Sequence, residues 1–141
     1  MLQQGQKDLE EMWGALLRCD WNSLAVVPTD PGVSVREVVA VLQSKIAGSN
    51  PVIRVIDARG VDVADGKRLA GQMAADSGRA RTVVVVDSLI QSLSGVHLVQ
   101  GVNAVLLVVR VAALDLESLA STVAIVGPTR VLGSVTAPEG D

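Results

Sequence analysis

The chain has 141 residues, with no phenylalanine and no tyrosine, and Trp13 and Trp21 are its entire aromatic complement. A core must therefore be assembled from Val, Leu, Ile and Ala, and aromatic platforms for stacking bases or sugars are nearly excluded. Cysteine is equally scarce. Cys19 alone cannot close an internal disulfide, and with the single histidine, His97, it makes no metal-ligating set. A reducing cytoplasm is the natural setting. Twelve Lys and Arg against fifteen Asp and Glu leave a net charge of −3. The clustered cations that release counterions from nucleic acid are missing, which sets DNA and RNA binding aside. No apolar run approaches the roughly 20 residues that cross a bilayer. The polar N-terminus, MLQQGQKDLEEMW, is unlike a signal peptide. A soluble chain is expected, one that reaches the inner membrane only if a partner recruits it.

What is present is apolar residue at regular spacing. Hydrophobic residues make up 49% of the sequence, enough for one packed domain. Between Lys7 and Arg18, Leu9, Met12, Trp13, Leu16 and Leu17 follow the spacing of an amphipathic helix. Its apolar face could cover the chain's own sheet or a partner's. Leu24 to Val27 is a short run halted by the turn Pro28-Thr-Asp-Pro-Gly32, and reads as a brief edge strand. Ser34 with Glu37 three residues later makes a capping box ahead of Val35, Val38, Val39, Leu42 and Ile46 at helical spacing.

Val52 to Ile56 reads as a strand covered on both faces, Asp65 to Ser77 as a helix, and Thr82 to Val86 as a buried parallel strand. Leu89 to Asn103, with Gly95 and Gly101, reads as a loop with one or two helical turns. A third buried strand follows at Ala104 to Val109, a helix at Asp115 to Val123, and a last strand at Arg130 to Val135. Strands alternating with helices predict an α/β fold, a small three-layer domain of about four parallel strands. The expected division is an N-terminal helix and linker over 1–33, the α/β domain over 34–136, and a polar tail over 137–141.

The stretch with chemical potential is Gly60-Val-Asp-Val-Ala-Asp-Gly-Lys-Arg68, where a Gly-Lys pair opens a helix after a strand. Helix N-termini in that context bind phosphate through unpaired N–H groups and the dipole. Gly60, Gly66, Lys67 and Arg68, with Asp87 at the end of the next strand, are the candidate cofactor-binding residues if a nucleotide binds. No catalytic residue and no metal ligand is expected: His97 has no partner at recognisable spacing, Ser88 is not in a nucleophile elbow, and Cys19 reads as a small packed residue. Asp57, like Asp87, ends a strand where ligands bind in such folds.

In these residues the chain resembles the MinD-like P-loop ATPases, above all the cytoplasmic domain of bacterial tyrosine kinases that govern capsule and exopolysaccharide synthesis. The family loop runs small-x-x-Pro-Gly-x-Gly-Lys-Ser/Thr-Thr. Gly60, Val63, Ala64, Gly66, Lys67, Arg68 and Leu69 stand in its places here, and Gln72-Met-Ala74 stands for its Asn-Leu-Ala. Val83 to Asp87 resembles the Walker B strand, Gly101 to Arg110 the following Ala-Asp-Gly-Val-Leu-Leu-Val-Val-Arg, and Val131 to Val135 the closing Val-Leu-Gly-Val-Val.

Several positions depart from that pattern. Arg68 replaces the hydroxyl that holds Mg²⁺, Ala64 replaces a glycine, and Asp62 and Asp65 bring negative charge beside any polyanion. The family's Glu-x-x-Arg-x-x-Arg helix reads Glu37, Ala40, Gln43. The second Asp-bearing strand of the family is missing from this alignment, which makes the domain look shortened, and there is no tyrosine to phosphorylate. The resemblance implies an inactive regulatory or scaffolding subunit without a cofactor. Its partner would be a membrane-bound polysaccharide synthase or chain-length regulator, or further copies of itself. The alternatives are a nucleotide-binding ATPase or switch with a modified loop, and a positioning factor for pilus or cell-pole machinery.

Overall fold

Runs of Val and Leu pair side by side into five parallel strands: β1 (Ser23–Pro28), β2 (Ile53–Asp57), β3 (Arg81–Val85), β4 (Ala104–Val109) and β5 (Val131–Thr136), in the order β2-β3-β1-β4-β5. Four helices alternate with them: α1 (Arg36–Ala47), α2 (Val63–Asp76), α3 (Leu93–Gln100) and α4 (Leu116–Val126). A 3₁₀ turn, Pro128–Arg130, leads into β5. The structure is a computed structural model, and it describes residues 11, 13–16, 18–19, 21–29, 33, 35–47, 53–76, 81–90, 93–109 and 116–136.

Strand geometry sends successive side chains to opposite faces, and the two cores follow that alternation. On the first face lie Leu24 and Val26 of β1, Val83 and Val85 of β3, and Leu106 and Val108 of β4, packed with Val38, Val39 and Leu42 of α1. On the second lie Ala25 and Val27, Val84 and Val86, and Val105 and Leu107, packed with Met73 of α2, Leu98 and Val99 of α3, and Val126 of α4. The result is the three-layer parallel architecture that unbroken valine runs predict. Among the described residues, no helix is long and apolar enough to cross a membrane.

Several expectations are corrected. The segment Leu24 to Val27 is no edge strand. β1 is the central strand, paired with β3 on one side (Val26 with Val85) and β4 on the other (Val26 with Leu106). A boundary at 33/34 would therefore cut the middle strand from its own sheet. β2 is an edge, with Arg54 and Asp57 exposed, and its faces are covered in part, Val55 packing on the first-face core and Ile56 on the second. Leu93–Gln100 is a regular helix despite Gly95, because Leu98 and Val99 bury completely against the second face. The sheet has five strands rather than about four.

Residues 11 and 13–16 are helical, and Trp13 and Leu16 bury in the first-face core, so this stretch covers the chain's own sheet. The rest of the helix expected from Lys7, and Ser34 of the expected capping box, lie outside the described residues.

The amino ends of the strands are tied together by polar side chains. Asn103 Oδ1 accepts from the backbone N–H groups of Asn22 and Ser23, both at 3.1 Å. The Arg81 guanidinium lies 4.6 Å from the centre of the Trp21 ring and donates to the Cys19 carbonyl at 2.8 Å. Arg130 donates to the carbonyls of Val126 (2.7 Å), Val99 (2.8 Å) and Val102 (2.9 Å), joining the C-terminal ends of α3 and α4. The carboxyl ends of the strands are left for any ligand.

Candidate functional site

In an open parallel sheet, ligands bind beyond the strands' carboxyl ends, where neighbouring strands send their connections to opposite faces. β1 leads to α1 on the first face, while β3 and β4, on either side of it, lead to α3 and α4 on the second. The crevice therefore opens at the end of β1, beside Thr29 and next to Asp87 and Ser88 after β3.

Thr29 is firmly placed. Its N–H and its Oγ1 both donate to the Val108 carbonyl, at 3.0 and 3.3 Å. Its own carbonyl accepts from Thr122 Oγ1 of α4 at 3.2 Å. Ser88 is buried, and its Oγ, like Trp13 Nε1, has no hydrogen-bond partner among the described residues. Thr29 and Ser88 lie outside the set read from the sequence. The signal that could have found them is the turn Pro28-Thr-Asp-Pro-Gly32, a second strand-to-helix loop in the chain.

The five candidate residues are brought together only in part. Gly60, at φ +80°, donates its N–H to Asp87 Oδ2 at 2.7 Å. That bond joins the segments that follow β2 and β3, and it commits the Gly60 N–H to an internal carboxylate. Gly66 lies in the first turn of α2, against α3. A Cβ there would meet Ser94 Cβ at 3.0 Å and the Ser94 carbonyl oxygen at 3.1 Å. Its smallness serves helix packing, and Ser94 Oγ strengthens the contact by donating to the Val61 carbonyl at 2.8 Å. Lys67 and Arg68 are exposed, and Arg68 pairs with Asp65 at 2.7 Å. The N-terminus of α2 is capped by the chain itself, as Asp65 N donates to Asp62 Oδ1 at 2.8 Å.

Asp57 and Arg59 form the main charged contact at this edge. Arg59 Nε and Nη2 reach the two Asp57 carboxylate oxygens at 2.9 and 2.7 Å, and Arg59 N donates to Oδ1 at 3.1 Å. The Arg59 side-chain hydrogen bonds hold the Asp57 carboxyl below the ordinary carboxylate range, and the same bonds raise the guanidinium. The N–H groups of Arg59 and Gly60 thus both serve internal carboxylates.

His97 sits half-buried in α3, and Cys19 Sγ lies 3.5 Å from the Ala15 carbonyl. Among the described residues, no cluster of three or more His, Cys, Asp or Glu is placed to hold a metal ion. The arrangement offers backbone closure and packing where the sequence suggested an anion cradle. No family model matches the chain, and no curated protein matches it at a significant level.

Proposed function

We propose that this chain is a P-loop-like scaffold without hydrolytic chemistry, a regulatory or scaffolding subunit that acts through protein contacts. The observation that carries this reading is Val35. Laid on the loop leaving the central strand instead of on Gly60 to Leu69, the pattern small-x-x-Pro-Gly-x-Gly-Lys-Ser/Thr meets Pro31-Gly32 at its Pro-Gly and departs at Pro28, Ser34, Val35 and Arg36. Val35 then holds the lysine's place, 4% exposed and packed in the first-face core. Arg36 holds the place of the Mg²⁺-binding hydroxyl, and Ser34 that of the second glycine. Phosphoryl transfer depends on that lysine and that hydroxyl for positioning and charge neutralisation, and neither has a counterpart here.

In this register β2, ending at Asp57, lies beside β3, which is followed two residues later by Asp87, and this supports reading the two as the family's Asp-bearing strands. By resemblance, the setting is bacterial surface-polysaccharide synthesis or export, in the cytoplasm beside a membrane-bound synthase or chain-length regulator. A pull-down from the native host tests the setting. Recovery of such a synthase supports it, and recovery of pilus or cell-pole proteins moves the chain to a positioning role.

Titration calorimetry with ATP and Mg²⁺ tests the chemistry. The expected result is no binding, and a dissociation constant tighter than about 10 μM, roughly −7 kcal/mol, would overturn the reading. One observation favours the second reading, a nucleotide-binding switch: the unpartnered Ser88 hydroxyl at the crevice. In that case ATP binds and Ser88→Ala weakens it; in the scaffold reading Ser88→Ala only relieves an unsatisfied buried group.

A further inference from the structure

We draw no further inference here: the strongest candidate, the apolar surface patch of Leu116 and Ile125 on α4 and Leu132 on β5, lies at an outer sheet edge and its neighbouring helix face, and nothing in the structure shows what covers it.

Discussion

Replacing Gly66 by alanine separates the two meanings that this residue can have. In a phosphate loop, the glycine lets backbone approach a ligand, and the cost of a methyl would appear in nucleotide affinity. In the structure, the methyl would meet the backbone of a neighbouring helix: Ser94 Cβ at 3.0 Å, its O at 3.1 Å and its Cα at 3.2 Å. Helical glycine to alanine is favourable by about 0.8–1.0 kcal/mol where there is room, and overpacking costs about 1–3 kcal/mol. The net for Gly66→Ala is a loss of about 0–2 kcal/mol. Gly71, in the same helix, is exposed with nothing within 4 Å of an added Cβ.

Gly71→Ala should therefore gain close to the full propensity term, about 1 kcal/mol, or a few degrees in the unfolding midpoint. Urea and thermal unfolding of the two variants, followed by circular dichroism, read the contrast: about 1–3 kcal/mol between them, which is the overpacking cost alone. If Gly66→Ala stabilised as much as Gly71→Ala, the close α2–α3 contact would be refuted. With it would go the explanation for why a glycine occupies this place.

The Asp57–Arg59 pair gives a pH signature. Because the folded Asp57 carboxyl titrates below its ordinary value, its contribution is present above an unfolded pKa of about 3.9. It is lost as pH falls through the lower folded value. Both side chains are at least a third exposed, so the gain is that of a surface pair, about 0.2–1 kcal/mol. Asp57→Asn should remove it at pH 7 and flatten the acid limb below about pH 4 in a urea-midpoint profile. Arg130→Met should destabilise by about 2–4 kcal/mol, since it removes charge-assisted bonds to buried carbonyls at the ends of two helices. Denaturant titration measures that loss, and a cost under about 0.5 kcal/mol, the range of an ordinary surface substitution, would contradict the bonding described.

The layered α/β architecture is legible in the sequence because burial on one or both faces imposes a period, and period is local. Runs such as Val83 to Val86 and Ala104 to Val109 are apolar at every step because helices cover both faces. The valines and leucines of α1 recur at helical spacing because only one side meets the sheet. The ends of those segments lie within a few residues of the observed ones, and their order along the chain follows directly.

Strand order is a different kind of information, since it depends on which distant segments share a ladder of backbone hydrogen bonds, and no local period encodes that. Leu24 to Val27 and Val52 to Ile56 are runs of similar length, differing in the one charge at Arg54, and tertiary pairing made the first the buried centre and the second an edge. That choice also moved the crevice. A Gly-Lys pair after β2 stood out in the sequence, while the side-by-side placement of Thr29, Asp87 and Ser88 arises only when β3 and β4 close on either side of β1. Layers and helices, Leu93–Gln100 excepted, were already written in the local pattern of apolar residues. The sheet's long-range pairing settled where a ligand edge could be, because the connections of adjacent strands must part to opposite faces before such an edge exists.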